Sequence, residues 1–313
     1  MINSIQISII IVNYNSFNLL TQCLDSLIKF TKDVSYEIIV VDNNSTEGNI
    51  DDVLSKYDNI KLTKNSKNVG FGAANNQAMK AASGKYVLFL NNDTIFIENT
   101  IKKVYDFAES LTEPAIVGCK LLNEDGTLQL SVYNFQSISR QLAATFFIDQ
   151  MLKSFNKISK FNRVKNNSDT AIEVEAIMGA FFFLRKDMFL KVNGFDDRLF
   201  FYYEDIDLCY QLKKINCRTI FFPDTAIFHI GGASAEKDSW FSMKNRTIAR
   251  IQFAQKNFSG IYKWLYIFTE YFGRFYKILI FFLVSILTFN KNYLRKAWFN
   301  IKLLFIYPRN KFK

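Results

Sequence analysis

Apolar residues along this chain recur in two alternating rhythms. Gln6–Val12 is a β-branched run, the polar link Asn13-Tyr14-Asn15-Ser16 follows, and Leu19, Leu20, Leu24, Leu27 and Ile28 then recur at helical spacing. That reads as strand, loop, helix. The unit repeats: Tyr36–Val41 is a second strand ending at Asp42, and Ile50–Tyr57 a helix with Asp51 and Asp52 in its first turn, where carboxylates suit the helix dipole. Ile60–Thr63 predicts a short third strand, Gly70–Ala82 a small-residue helix, Tyr86–Leu90 a buried strand and Thr100–Ser110 another helix. Strands and helices alternating at this spacing predict an α/β fold with a mostly parallel, doubly wound sheet.

Further along the rhythm loosens. Asp125-Gly126 signals a turn, and Ser137–Lys165 is basic, aromatic and helix-like without a clear cap, which suits an insertion or an acceptor-side lid. Ile172–Phe183 is strand-like but broken at Gly179-Ala180, and Asp187–Val192 fits a short helix. Tyr203–Ile215 carries acids at its start and Lys213-Lys214 at its end, as a capped helix does, and Thr219–Phe222 and Thr225–Phe228 read as two short strands. From Trp240 the pattern is helical to the end. Its most apolar window, Ile278–Phe289, lies between Lys277 and Lys291 and falls well short of the ~20 residues that span a bilayer. An interfacial amphipathic hairpin is the expected form there, with a packed helical cap as the plainer alternative.

Composition narrows the class. With 313 residues, 49% of them hydrophobic, the chain can bury a full core and support a large domain with an appendage. Cys23, Cys119, Cys209 and Cys217 lack CxxC spacing, and the N-terminus has no basic n-region or cleavage site, so ordinary thiols in a reducing cytoplasm are expected. The formal charge of +10 is concentrated at one end. Between Gly260 and Lys313, Glu270 is the only acid among ten lysines and arginines, and those cations are interleaved with Trp264, Tyr266, Phe268, Tyr271, Phe272, Phe275 and Trp298. Such a mixture points to an anionic membrane surface and not to nucleic acid.

Candidate chemistry lies at the strand ends. In open sheets of this kind ligands sit outside the carboxyl ends of the strands, here Asn13-Tyr14, Asp42-Asn43-Asn44 and Asn91-Asn92-Asp93. Neither a GxGxxG loop nor a Walker sequence follows the first strand, so NAD and P-loop nucleotides are not supported. Asp93 is either an acidic tip on the ligand edge or the N-cap of a following helix. Glu204, Asp205 and Asp207 follow the aromatic run Phe200–Tyr203, and on a helix Asp205 and Asp207 point apart. Dry aromatic surroundings raise a carboxylate's pKa toward that of a useful base; the plainer alternative is an acidic first turn. His229 is the only histidine, set between a strand and Gly231-Gly232. A lone histidine is more often structural, but a strand end beside glycines suits an imidazole ligand for Mn²⁺ or Mg²⁺.

Several blocks in order, SIIIVNYNS (Ser8–Ser16), VVDNNS (Val40–Ser45), NVGFGAANNQA (Asn68–Ala78), YVLFLNNDT (Tyr86–Thr94), Gly179–Arg185, GFDDRLFFYYEDIDL (Gly194–Leu208) and HIGGAS (His229–Ser234), together resemble glycosyltransferase family 2. The likeness is greatest to its rhamnosyltransferase-like branch. The resemblance implies a GT-A fold, a mixed, mostly parallel sheet flanked by helices, over residues 1–235. A nucleotide-sugar half would occupy about 1–95 and an acceptor half about 96–235, with a helical membrane-associating appendage over 236–313. It also implies that Val12, Tyr14, Asp42, Asn75 and Asn92 bind the donor, that Gly179 and Ala180 face the acceptor, and that Asp93 and His229 hold Mn²⁺ or Mg²⁺. Asp205 matches the catalytic base, with Glu204 orienting the acceptor or tuning its neighbour. Asn91 stands where many relatives carry the first acid of a DxD motif; an amide oxygen ligates a hard cation but brings no charge.

The expected reaction is inverting transfer of a sugar, rhamnose among the candidates, from a dTDP-, UDP- or GDP-linked donor to a hydroxyl of a glycan or lipid-linked acceptor. The expected setting is bacterial surface-polysaccharide synthesis at the inner face of the cytoplasmic membrane. A non-catalytic membrane-associated sugar-binding or scaffold protein that keeps the fold is the alternative, favoured by Asn91 and opposed by the intact Glu-Asp pair.

Overall fold

The computed structural model describes residues 5–148, 168–230 and 239–307. Its first strands follow the apolar runs: β1 (Ile7–Asn13), β2 (Tyr36–Asp42), β3 (Ile60–Lys64) and β4 (Tyr86–Asn91), joined by α1 (Phe17–Phe30), α2 (Ile50–Leu54) and α3 (Phe71–Ala78). β5 (Thr94–Phe96), α4 (Thr100–Ser110), β6 (Ala115–Leu122) and β7 (Val132–Tyr133) come next, then α5 (Ile138–Thr145). The chain continues through β8 (Ile172–Val174), β9 (Ala176–Ile177), β10 (Phe181–Arg185), α6 (Lys186–Lys191), α7 (Glu204–Lys214) and β11 (Arg218–His229). Three helices close it: α8 (Trp240–Asn257), α9 (Gly260–Thr288) and α10 (Lys291–Leu304).

The large sheet runs β3-β2-β1-β4-β10-β6-β11-β5, with β8 also paired to β11. β1 to β4 are parallel, as crossover helices require. β10 enters antiparallel between β4 and β6. The mixed, mostly parallel sheet flanked by helices is therefore as expected. β11 is one strand where the sequence suggests two; its register against β6 shifts between Phe222 and Ala226, where Pro223 cannot donate to the ladder.

Helices cover both faces. On one, Leu20, Cys23, Leu24 and Leu27 of α1 recur at i, i+3, i+4 and i+7 and are fully buried with Ile7, Ile9 and Ile11. Burying each of those leucines contributes about 1.5–3 kcal/mol. On the other, Phe89 packs against Phe189 and Phe195 with ring centroids 4.8 and 5.0 Å away. All four cysteines are buried and unpaired, in line with the expectation of ordinary thiols.

The chain folds into two compact units, and of the described residues 5–133, 168–200 and 204–230 form the sheet-bearing one. The second is helical and comprises residues 134–148, 201–203 and 239–307. Within it, Gly273 of α9 lies so close to α5 that a Cβ there would sit 2.6 Å from Thr145 Oγ1. Arg274 donates to Glu270 at 3.1 and 2.5 Å and to Thr247 Oγ1 at 2.9 Å, and Gln141 Nε2 donates to Glu270 at 2.6 Å. Two expectations change here. α5 does have a cap, since Ser137 Oγ accepts from the Arg140 amide, and the remainder of the expected segment, residues 149–165, lies outside the described residues. The apolar window is also longer than its flanking lysine implied. α9 runs 29 residues through Lys277, long and apolar enough by length and composition to cross a membrane, and its Arg274 pairs inward with Glu270.

Candidate active site

Register carries the strand-end polar residues to one edge of the sheet. Asn13 lies opposite Asp42, and Val12 opposite Asn91, so three neighbouring strands end together. The Asn13 amide then ties the edge: Nδ2 donates to Asp42 Oδ1 at 3.3 Å and to Ser45 Oγ at 3.1 Å, while Oδ1 accepts from Asn92 Nδ2 at 2.7 Å. Ser45 donates its hydroxyl to Asp42 Oδ1 at 2.6 Å and its amide to Oδ2 at 3.1 Å. Asp42 is thereby fixed and retains one spare acceptor site, on Oδ2. Val12 is half-buried, and Tyr14 is 48% exposed at the rim. Asn75 is wholly buried in α3, where Nδ2 donates to Phe71 O; its Oδ1 has no partner among the described residues.

The turn after β4 delivers Asp93 directly into β5, so Asp93 caps no helix. β5 pairs antiparallel with β11, and Thr94 opposite His229 sets the acid beside the imidazole. His229 Nε2 lies 3.2 Å from Asp93 Oδ1, and both residues are 8% exposed. The other ring nitrogen, Nδ1, is 2.6 Å from Gln129 Oε1, an acceptor only, so Nδ1 carries the hydrogen and Nε2 the lone pair. Asn91 Nδ2 donates to Nε2 at 3.2 Å. Asp93 Oδ1 consequently receives no hydrogen bond among the described residues despite its burial, and two electron-rich atoms face one another. A buried acceptor left so costs about 1–3 kcal/mol; a divalent cation would satisfy Asp93 Oδ1 and take the Nε2 lone pair in place of the Asn91 amide. Among the described residues no group of three or more His, Cys, Asp and Glu converges, so the protein itself offers a cation at most this pair.

The third cluster forms at the start of α7. Gly179 and Ala180 lead into β10 beside the same edge, the Asn91 amide donating to Ala180 O at 3.1 Å. Gly179 N–H donates to Asp205 Oδ2 at 3.0 Å, and Ile206 N–H to Oδ1 at 2.7 Å. A Cβ on Gly179 would come within 3.4 Å of the Asp205 Cβ. Upstream, Gly70 takes φ +90, and a Cβ there would sit 2.6 Å from Phe200 O, so only glycine lets α3 start this close to the chain entering α7. Burial raises the pKa of both carboxyls, opposed at Asp205 by the two amides and reinforced at Glu204 by the Asp205 charge. Glu204 Oε2 is buried without a hydrogen-bond partner among the described residues. The pair therefore splits, with Glu204 keeping its proton longer and Asp205 carrying the charge.

The family profile described as Glycosyl transferase family 2 matches residues 8–192. The chain belongs to glycosyltransferase family 2. It is 29% identical over 242 residues to Rhamnosyltransferase WbbL of Escherichia coli, covering 75% of this chain and 86% of that one. N-acetylglucosaminyl-diphospho-decaprenol L-rhamnosyltransferase of Mycobacterium tuberculosis is 24% identical over 215 residues, covering 64% of this chain and 68% of that one. Poly(ribitol-phosphate) beta-glucosyltransferase of Bacillus spizizenii is 38% identical over 109 residues, 33% of this chain. The chain spans only 17% of that relative's length and 18% of the Myxococcus xanthus O-antigen biosynthesis protein RfbC. Among solved structures, S. aureus TarS 1-349 with UDP aligns at TM-score 0.53 and 19% identity, over 84% of this chain and 70% of that one. GalNAc-T7 with UDP, GalNAc and Mn²⁺ aligns at TM-score 0.56 and 15% identity, over 83% and 52%. The fold of this family 2 chain is GT-A.

The structure draws Asp42, Asn92, Asp93, His229, Gly179, Ala180 and Asp205 to one edge. Asn75 makes its hydrogen bond within its own helix. Sequence reasoning assigned no role to Asn13, Ser45 or Gln129. Asn13 was findable as the last residue of an apolar strand, whereas Gln129 lies 100 residues from His229 with no motif to mark it. Gly231–Ser234 of the HIGGAS block lie outside the described residues.

Proposed function

We propose that this chain is an inverting nucleotide-sugar glycosyltransferase that works at the inner face of the cytoplasmic membrane on a glycan or lipid-linked acceptor. In this reading residues 1–235 carry the chemistry and residues 236–313 the docking. The observation that carries it is the meeting, at one sheet edge, of the Asp93 and His229 electron-rich atoms with an amide-held Asp205 carboxylate. Val12, Tyr14, Asp42, Asn75 and Asn92 are assigned to the donor, and Gly179-Ala180 to the acceptor side.

Asp93 and His229 are the residues that would hold Mn²⁺ or Mg²⁺, which when bound offsets charge on the leaving diphosphate, worth several kcal/mol. Gln129 fixes the imidazole tautomer so that Nε2 stays a ligand. Asp205 takes the proton of the attacking hydroxyl, its two amide bonds holding the carboxylate in place while leaving lone pairs free. Glu204, still protonated, adds no second charge and can donate to the acceptor. Asp42, the other carboxylate at the donor strand ends, is tied to Asn13 and Ser45 and assigned to the donor, so single displacement with inversion is preferred.

Rhamnose is favoured as the sugar by the names of the Escherichia coli and Mycobacterium relatives. Docking rests on α9 and α10. Ile261, Trp264, Phe268, Leu283, Leu287 and Phe289 are 53–91% exposed, an apolar face far too long for water alone, and α10 adds Lys291, Arg295 and Lys302. Each such cation near anionic lipid is worth about 1 kcal/mol. Asn91, which brings no charge, is the observation behind the alternative of a non-catalytic sugar-binding scaffold.

A thermal-shift screen of dTDP-, UDP- and GDP-sugars with and without Mn²⁺, followed by hydrolysis assays on the best donor, tests the reading. A cation-dependent shift with turnover supports it. Binding without any turnover, even with acceptor lipids, leaves the scaffold reading standing instead.

A further inference from the structure

Residues 65–70, between β3 and α3, bury no side chain of their own: Ser66 and Lys67 are exposed, and Asn65, Asn68 and Val69 are half-buried. A loop without a buried apolar anchor keeps one shape only where its polar groups are tied down. They are tied to Asn43, the residue after β2, which is 2% exposed. Asn43 Nδ2 donates to Asn68 Oδ1 at 3.1 Å and to Gly70 O at 3.3 Å. Its Oδ1 accepts from Asn65 Nδ2 at 2.9 Å and from the Val69 amide at 3.2 Å. An asparagine amide has two donor hydrogens and two acceptor lone pairs, and this one directs all four at the loop. The Val69 N–H and the Gly70 carbonyl allow it only one orientation.

The loop lies at the donor edge, and every residue of the network belongs to the sheet-bearing unit. Asp42 lies opposite Lys64 in the register of β2 and β3, and the Asn65 amide donates to Asp42 O at 2.9 Å. The loop therefore leaves the sheet beside the carboxylate assigned to the donor. At its far end Gly70 precedes α3 and has no side chain to cap it. The two asparagines fix Gly70 instead, Asn43 Nδ2 on its carbonyl and Asn68 Oδ1 accepting from its amide at 2.9 Å. Asn75, also assigned to the donor, lies one turn into the helix that starts there. The Asn43 amide is saturated and has no bond left to offer a ligand, so its part is to hold the groups around it.

We propose that Asn43 is a positioning residue of the donor site: its amide holds residues 65–70 as a preformed wall of the nucleotide crevice beside Asp42. The inference rests on the reading of Asp42 as a donor contact. A site that is formed only part of the time binds more weakly in proportion to that fraction. Asn43→Asp keeps the shape of the side chain but turns both donors into acceptors that face Asn68 Oδ1 and Gly70 O. A loop then in place about one-tenth of the time binds nucleotide about tenfold more weakly.

The test takes whichever of UDP, dTDP and GDP stabilises the wild-type protein most with Mn²⁺ present. Its Kd is measured in Asn43→Asp, Asn68→Ala, the double variant and Asp42→Ala, together with the rate of trypsin cleavage after the exposed Lys67. Kd should rise about tenfold in Asn43→Asp and about fivefold in Asn68→Ala, cleavage should quicken by similar factors, and saturating nucleotide should suppress it. The double variant should bind no more weakly than Asn43→Asp, since removing the Asn68 oxygen also removes the clash. In hydrolysis of the matching nucleotide sugar, donor KM should rise with Kd while kcat stays within about twofold, a split that general destabilisation does not produce. A Kd or cleavage rate within about twofold of wild type in Asn43→Asp, losses that multiply in the double variant, or a fall in kcat at unchanged KM would overturn the positioning role. Asn68 is a half-buried loop residue, so Asn68→Ala keeps the fold and decides by the same criteria if Asn43→Asp does not fold. Asp42→Ala separates the two claims. Weak binding in Asp42→Ala beside normal binding in Asn43→Asp rejects only the positioning, whereas unchanged binding in Asp42→Ala rejects the donor reading of this edge and this inference with it.

Discussion

Glu204→Gln keeps the shape of the side chain and removes the proton it can lose. In the folded protein Glu204 Oε2 is buried without a partner among the described residues, and burial together with the Asp205 charge lifts the carboxyl above its ordinary 4.5. The unfolded chain releases that proton near 4.5, while the folded protein keeps it to higher pH. The stability Glu204 contributes is thus fully present below 4.5 and is lost as pH rises through its elevated folded value. Where only the folded form holds the proton, the loss runs at about 1.4 kcal/mol per pH unit. Between about pH 5 and 7 this amounts to at most about 2.7 kcal/mol, less whatever solvent reaching the partly exposed carboxyl returns. Glutamine cannot ionise, so the variant lacks this slope. Melting temperatures of both proteins across that range, at constant ionic strength, should show wild type falling several degrees relative to the variant. Parallel curves would refute the burial argument. Because glutamine mimics the protonated acid, turnover near pH 7 should survive within about tenfold, which a role for Glu204 as the ionised base would not allow.

Asp205→Asn should leave nucleotide binding intact and cut transfer by about 10²–10⁴-fold, read from product formation at saturating donor; near-normal turnover would exclude it as base. Gln129→Leu deprives His229 Nδ1 of its acceptor and should weaken Mn²⁺-dependent nucleotide binding about 10–100-fold, checked by titrating the cation at fixed UDP. Equal Mn²⁺ titrations in the two proteins would contradict the tautomer assignment. Gly84→Ala places a Cβ 2.5 Å from the Ser8 amide nitrogen and should destabilise the sheet by about 1–3 kcal/mol in denaturant unfolding. Phe268→Asp with Leu283→Asp should release the protein from anionic vesicles in flotation while donor hydrolysis persists, and retention would show that this face does not dock.

What was legible in the sequence followed from local chemistry. A parallel strand buried on both faces is an unbroken apolar run, so β1, β2 and β4 and their polar ends at Asn13, Asp42 and Asn91 were readable directly. The meeting of Asp93 with His229 depended on β5 pairing with β11, a register no local pattern encodes, and only resemblance suggested it. Gln129 was silent because a glutamine after a turn carries no periodicity. α9 was misread because hydropathy counts Arg274 and Lys277 as breaks, while in the fold Arg274 faces inward to Glu270 and the helix continues. β11 looked like two strands for a related reason: Pro223 interrupts the pattern but only shifts the pairing.

The four native thiols offer a practical opening. Burial pushes the Cys217 thiol up to about 11 and Cys23 to about 12, with Cys119 and Cys209 raised as well, so almost none of any of them is thiolate near neutrality. A maleimide dye should therefore pass over the native chain. One cysteine introduced at Leu287, which is 69% exposed, would be the single reactive handle, and the colour of its label would report how deep this helix sits in a bilayer.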